Sequence, residues 1–476
     1  MNTQSTHNSV DRSAREHVAL PTKIAYVVPA FALAVVGIPI YVYLPKFYTD
    51  VVGVHVTMLG YLILGVRIFD ALTDPLIGLL SDHTSTRFGR RRPYIAGGAT
   101  LLAIALYLLF HPPHLSSSLA TVWFGVGMFA VFLFWTVVVV PYEALGPEIT
   151  YDYDERTTLF GLRDGALIAG TLAAATSPAA VAWLFELAAD ASGERAKFFW
   201  IAVLYIPLLL ICCWGCVLVI QERRPLSQHS MSLTWSDVTD ILRNTPFIIL
   251  LIAYTISAFG SHLPATLILY YVEYVLLSPH ADLFLVLYFV TGIVFLPGWM
   301  ALAHRWGKKE SWLLSMAVNT GAFIGVFFLG PGDARWYGIL VFLSGIGFGA
   351  TVAIPSAMQA DVIDYDTLLS GTRREGHYVG IWSIAKKFAA ALGVGAAISI
   401  LGLSGYVPNV PQTAQVQLTL RVLYALVPSI CNLIALGIAF KYPISRDIHH
   451  AIRAAIAERQ AGKQVVDPLD PSKTLF

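Results

Sequence analysis

The feature that most restricts this chain is a succession of apolar runs, each about as long as the roughly 20 residues a helix needs to cross a bilayer core. They fall in two groups of about six. The first lies near 24–49, 53–81, 94–112, 119–145, 159–186 and 198–221, and the second near 246–277, 281–303, 311–330, 335–363, 377–403 and 417–441. Lipid offers no partner to backbone N–H and C=O groups, so runs of this length are expected as transmembrane helices. Composition agrees: of 476 residues, 56% are hydrophobic and only 13% charged, against about 25% charged in soluble domains. A net charge of +1 gives no sign of nucleic-acid binding. The four cysteines, Cys212, Cys213, Cys216 and Cys431, all fall inside apolar runs. Cys213-x-x-Cys216 has the spacing of a metal or redox pair, but without a second ligand pair the thiols read as packing groups.

Basic residues mark alternate connections. Arg87, Arg90, Arg91 and Arg92 follow the second run, Arg223 and Arg224 open the central connection, Lys308 and Lys309 follow the eighth run, and Arg373 and Arg374 follow the tenth. The intervening loops are nearly free of Lys and Arg, apart from the one holding Arg195 and Lys197. By the positive-inside rule both termini are expected in the cytoplasm, with the chain in the plasma (inner) membrane. RFGRRRP at Arg87 is echoed by RWGKKES at Arg305, and PYEALGPEITYDYD at Pro141 by PSAMQADVIDYD at Pro355, both roughly two hundred residues apart. Such a repeat implies two related halves. The expected division is a polar N-terminal tail (1–23) with no cleavable signal, a first bundle (24–221), a linker (222–245), a second bundle (246–441) and a tail (442–476). A short surface helix is expected over Ser236–Asn244. In the tail, Ile448, Ile452 and Ile456 form one stripe of a helix starting at Ser445, expected on the membrane or on the loops above it, and Val465–Phe476 is expected to be disordered.

The second run ends in VRIFDALTDPLIGLLSDHTSTRFGRRRP. Ionisable groups at bilayer depth cost about 2.5–3.5 kcal/mol each on insertion scales, so they usually face a bundle interior. Asp70 and Asp74 are spaced i, i+4 and stack on one helical face, with Arg67 and Thr73 on that face or its edge. Pro75 cannot donate to the Ala71 carbonyl, which adds a backbone oxygen beside the carboxylates. These oxygens suit a small hard monovalent cation or a proton, and the alternative is a structural Arg67–Asp70 ion pair.

RIFDALTDP with its basic loop resembles the second helix and following loop of the glycoside–pentoside–hexuronide:cation symporters, a branch of the major facilitator superfamily. The resemblance runs from about Lys23 to the tail. It implies an all-α membrane protein of the major facilitator fold, about twelve transmembrane helices in two pseudo-symmetric six-helix bundles, carrying a sugar with Na⁺ or H⁺ by alternating access. It also implies that Thr136 completes the cation site with Asp70, Thr73 and Asp74, Asp70 and Asp74 being the ligands if the ion is Na⁺. A lone threonine otherwise satisfies itself on its own helix. Arg163 aligns with a sugar-contacting arginine, with a pair to Asp164 or Glu143 as its alternative role. Lys387, in the stretch that resembles the family's second signature, aligns with a lysine projecting toward cation and sugar. It needs a carboxylate partner at that depth, Asp70 and Asp74 being the natural ones. Lys386 is expected to point elsewhere.

Glu143 faces either the cavity or the interface. Tyr41 and Trp382 are candidate aromatic platforms for a pyranose, Trp382 alternatively facing core or lipid. Asp361 and Asp364, with Arg67, make up the expected charge network. The family's sugar-gripping Lys-Asp pair aligns here with Leu33 and Ala34, its helix-four aspartate and tryptophan with Val139 and Glu143, and its cation-site asparagine with Thr73. The cation machinery is largely kept and the galactoside clamp mostly lost.

Other classes fit less well. No phosphate-cradling GxxxxGK[ST] is present for a pump, and His262 and His377 stand isolated, which argues against an enzyme. No cofactor beyond the coupling ion is expected, nor any partner beyond a small-molecule substrate and the bilayer, and the chain is expected to act as a monomer. The runner-up substrate is a lysophospholipid or similar amphiphile, and a non-transporting sensor is the remote alternative.

Overall fold

The computed structural model describes residues 18–150, 153–188, 190–222, 241–371 and 374–475. The apolar runs become twelve long helices: α1 Leu20–Val52, α2 Val56–His83, α3 Arg92–Phe110, α4 Ser117–Ile149, α5 Tyr153–Leu184 and α6 Ala191–Val219, then α7 Thr245–Tyr274, α8 Ala281–Trp306, α9 Lys308–Phe327, α10 Ala334–Ser370, α11 Glu375–Leu403 and α12 Ala414–Ala439. Eleven are long and apolar enough to cross a membrane. The other is α9, whose buried Ser311, Ser315, Asn319 and Thr320 give it a polar face turned inward.

The helix pairings repeat. In the first half α1 packs on α5 and α6, α4 on α2 and α3, and α3 on α6. In the second half α7 packs on α11 and α12, α10 on α8 and α9, and α9 on α12. Adding six to each first-half number reproduces the second-half set, so the sequence echoes correspond to a repeated bundle. The halves meet through α2 on α11, α5 on α8 and α1 on α7. Gly60 and Gly402 permit the first of these contacts: a Cβ on Gly60 would sit 2.4 Å from Ser399 Oγ, and one on Gly402 2.5 Å from the Thr57 nitrogen.

α1 carries two π-helical turns, Pro39–Tyr43 and Tyr48–Val52. Prolines at 39 and 45 remove ladder donors, and wider turns of this kind often lie at functional sites. They carry Tyr41 and Asp50, which recur below.

At the end bearing both chain termini, Glu222 accepts from the backbone N–H groups of Arg90, Arg91 and Arg92 at 2.7, 2.9 and 2.7 Å, while the side chains of Arg90 and Arg91 reach Glu148. Burial raises the Glu148 carboxyl above its ordinary range, opposed by Arg91 and Arg90.

The tail corrects one expectation and narrows another. α13, Arg446–Gln460, is capped by Ser445 and lies on α10 with Ile452 fully buried, so it rests on protein. The segment expected to be disordered instead forms a hairpin, β1 Val465–Asp467 paired antiparallel with β2 Asp470–Leu475. The intervening Pro468 and Leu469 form the turn, Val465 is buried, and the Asp467 carboxylate accepts from Tyr365 Oη at 3.0 Å and from the Leu469 N–H at 2.9 Å. Apolar anchors and a turn sequence were present, but nothing local showed that α10 would supply a surface for them. Most of the Ser236–Asn244 helix expectation lies outside the described residues, as do most of the N-terminal tail and Arg223 and Arg224 in the linker.

Candidate functional site

A cavity of about 520 Å³ lies between the halves, walled by α1, α2 and α4 on one side and α7 to α12 on the other. Tyr41, Arg67, Asp70, Asp74, Thr136, Glu143 and Lys387 are on its wall. α2 presents Asp70 and Asp74 one turn apart, and α4 brings Thr136 between them. Its hydroxyl lies 2.8 Å from Asp70 Oδ1 and 3.1 Å from Asp74 Oδ1. One hydroxyl hydrogen serves both acceptors in turn, so one lone-pair site is always left open. From the other half, Lys387 Nζ lies 3.2 Å from Asp70 Oδ2 and also pairs with Asp74 Oδ2. A single ammonium thus bridges two carboxylates. Asp70 is almost fully buried, whereas Asp74 is partly open to the cavity.

Several residues stand elsewhere than the sequence suggested. The Thr73 hydroxyl donates to the Asp70 carbonyl at 3.1 Å, back onto its own helix, and Thr73 is not on the cavity wall. Arg67 does not pair with Asp70. Its guanidinium lies over the rings of Tyr41 (4.2 Å) and Phe132 (4.6 Å), with Nη1 3.4 Å from Tyr41 Oη, an arrangement favoured for a planar cation away from water. Arg163 is also off the wall: Nε and Nη2 bond Asp164 at 2.9 and 2.7 Å, and the group lies over Phe160. Trp382 stacks on Tyr254 with ring centroids 4.3 Å apart and is 7% exposed, which makes it a core residue of the second half. Asp361 and Asp364 sit apart from the cavity: Asp361 pairs with Lys308 at 2.5 Å, and His449 of α13 meets Asp361 at 3.3 Å and Asp364 at 3.0 Å. They form no network with Arg67. Ala34 packs against Gly170 of α5, and neither Leu33 nor Ala34 reaches the cavity.

Other residues were missed. Lys386 is on the wall beside Lys387, since neighbours about 100° apart on a helix can both border a wide cavity. His262 is there too, within electrostatic reach of Arg67 and Lys386. So are Trp135 and the α9 and α12 asparagines Asn319 and Asn432. Each lies in an apolar run, where the i, i+4 spacing of Ser311, Ser315 and Asn319 and the i, i+3 spacing of Ser429 and Asn432 are the signals of a polar face. Among the described residues no three His, Cys, Asp or Glu side chains converge as a metal centre would.

At the end remote from the termini, a second polar cluster joins the halves. The buried Asp50 carboxylate of α1 accepts from Lys46 (2.6 Å), Tyr274 (3.0 Å) and Tyr406 (2.9 Å), and its backbone carbonyl accepts from Asn409 at 2.6 Å. Lys46 also pairs with Glu273 at 2.7 Å, and Tyr43 donates to Asp282 at 2.9 Å.

Comparison with known proteins places this geometry. The family model described as MFS/sugar transport protein matches residues 25–446. The glucuronide carrier protein homolog of Escherichia coli K12 is 28% identical, over 89% of this chain and 92% of its own. The isoprimeverose transporter of Lactiplantibacillus pentosus is likewise 28% identical, over 81% of each. Among solved structures, the nucleoside transporter NupG superposes with a TM-score of 0.63 at 13% identity, covering 89% of this chain and all of its own, a likeness of fold. The repeated bundle, the acid pair of α2 met by a lysine of α11, and these matches lead to one assignment: the chain belongs to the glycoside–pentoside–hexuronide:cation symporter family of the major facilitator superfamily.

Proposed function

We propose that this protein is a secondary transporter that moves a sugar or glycoside together with a monovalent cation by alternating access. One observation carries the reading: Lys387 of the second half closes on Asp70 and Asp74 of the first, at the wall of the central cavity. An incoming cation or proton that satisfies the carboxylates releases the lysine. Ion occupancy thereby changes a contact between the two bodies that must rock against each other. Names of relatives support a carbohydrate cargo, since two of them are a glucuronide carrier homolog and an isoprimeverose transporter. A cavity lined by one chain supports the monomer as the transporting unit, and the proposal takes 24–221 and 246–441 as its moving bodies and puts both termini in the cytoplasm.

The coupling ion is a proton on this reading. With Thr73 turned onto its own backbone, the acid pair has one side-chain oxygen fewer to offer a metal cation. A shared proton needs only the two carboxylates. Reconstituted vesicles loaded against a panel of glucuronides, pentosides, hexosides and lysophosphatidylcholine provide the test. An inward proton gradient should drive accumulation of at least one sugar, and a protonophore should abolish it. Accumulation driven by Na⁺ alone would overturn the choice of ion, and uptake of lysolipid without any sugar would overturn the cargo.

A further inference from the structure

Two side-chain amides face the cavity from the second half, each oriented by the same local device. Asn319 of α9 accepts at Oδ1 from Ser344 Oγ of α10 at 3.2 Å, and Asn432 of α12 accepts at Oδ1 from Ser257 Oγ of α7 at 2.7 Å. Each serine stands three residues before a glycine, in Ser344-Gly-Ile-Gly347 and Ser257-Ala-Phe-Gly260. At both glycines the neighbouring helix comes close. A Cβ on Gly347 would lie 2.8 Å from the Ser315 carbonyl oxygen and 3.3 Å from Asn319 Cβ, and one on Gly260 would lie 2.8 Å from Cys431 Cβ. Absence of those side chains is what lets each serine reach the asparagine opposite.

A hydroxyl donated to an amide oxygen fixes which way the amide turns and leaves its two N–H donors on the other side. Asn319 is 6% exposed and Asn432 8%, and both are on the cavity wall. Neither Nδ2 bonds to protein among the described residues. Both amides use the oxygen and keep the donors. Nearby on the wall, Tyr337 and Tyr424 are buried and bond each other through their hydroxyls at 2.6 Å, while the partly exposed Tyr288, Phe289 and Phe323 supply aromatic surface. Fixed donors beside aromatic surface match a ring with acceptor oxygens at its edge and C–H groups on its face. The cavity volume exceeds what a single pyranose fills.

We propose that Asn319 and Asn432 form a second sugar subsite, which takes the hydroxyl-bearing second ring of a two-ring glycoside while the first ring lies toward Arg67, Glu143 and the carboxylate cluster. This rests on the sugar-transport reading above. The consequence is selectivity: the amides should discriminate between two-ring and one-ring ligands and leave the ion site alone.

The test is equilibrium binding to the purified full-length protein in nanodiscs, with xylobiose, cellobiose and gentiobiose compared with methyl xyloside and methyl glucoside. At least one disaccharide should bind the wild type. Asn319→Ala and Asn432→Ala should each weaken it by about threefold to tenfold, with methyl glycoside affinity and Tm unchanged. Asn432→Leu, which keeps the shape and removes the donors without adding a charge, should match Asn432→Ala and guards against an effect of the truncated volume. Disaccharide affinity unchanged in the variants, or disaccharide and methyl glycoside weakened alike, overturns the subsite. A wild type that binds only methyl glycosides also overturns it while sugar transport stands. A wild type that binds none of the five sugars overturns the two-ring subsite, while sugar transport is judged on the wider panel above.

Discussion

Two clusters tie the halves together, and both place a carboxylate of the first half under donors of the second. At the cavity, Asp70 and Asp74 meet one charged donor, Lys387, on a wall that an ion or substrate can reach. At the opposite end of α1, Asp50 meets two neutral hydroxyls, Tyr274 and Tyr406, and Lys46 of its own helix is shared between it and Glu273 of the second half. The first contact can be undone by a change of charge, because a bound cation substitutes for the ammonium. The second lies off the cavity wall, out of reach of an ion bound there, and yields when the bodies separate. On the proposed function, one would sense the cargo ion and the other hold a conformation, although their geometry looks alike.

The comparison breaks most sharply at Asp74. Asp74→Asn leaves Lys387 with one carboxylate and removes the acid more open to the cavity. Ion-driven accumulation should fall by at least about 100-fold, the scale on which truncating a buried charged pair acts, while downhill exchange of substrate continues. Accumulation at the wild-type level in vesicles would remove Asp74 from the coupling step.

Weakening the other cluster should leave coupling intact and shift the conformational balance. Asp50→Asn should raise the population open at the remote end by about tenfold, and Tyr406→Phe, which deletes one hydrogen bond, by about threefold. The readout is labelling of Ile268→Cys, a cavity position, by a membrane-impermeant maleimide in a background without the four native cysteines. Equal labelling in wild type and both variants would show that Asp50 does not hold that end closed.

The smallest effect is expected at Arg163. Bonded to Asp164 and away from the cavity wall, it should tolerate Arg163→Ala with sugar affinity changed by less than about twofold, the range of surface substitutions. A tenfold loss measured by calorimetry would return it to the binding site and show that the conformation described here hides a contact made in another.

What could be read from the chain followed its periodicities. Twelve runs, the repeat and the i, i+4 acid pair were legible because membrane helices must be long and apolar and because charge within them stands out. The meeting of Lys387 with the acid pair could be anticipated, since a lysine at that depth needs a counter-charge. Contacts set by a single rotamer or a neighbouring helix were not legible. Thr73 turns to its own backbone, Trp382 finds Tyr254, and Arg67 prefers the rings of Tyr41 and Phe132 to Asp70, which lies one turn along its own helix. The asparagines of the second half were only partly legible: Ser311, Ser315 and Asn319 mark a polar stripe at i, i+4 spacing, but the serines facing them from α10 and α7 are what reveal how each amide turns. The hairpin after α13 was hidden for a similar reason: its partner surface on α10 is about a hundred residues earlier in the chain.

That hairpin has a practical consequence. Asp467 is held by Tyr365 and α13 by Asp361 and Asp364, all on α10. The last described residues therefore ride on the second half as a rigid extension of it. A fluorophore placed near Leu475 is in effect mounted on one of the two moving bodies, with none of the slack a loose tail would add. Paired with a second dye on the Arg90–Glu148 belt of the first half, it makes the chain its own ruler for the rocking motion, readable one molecule at a time.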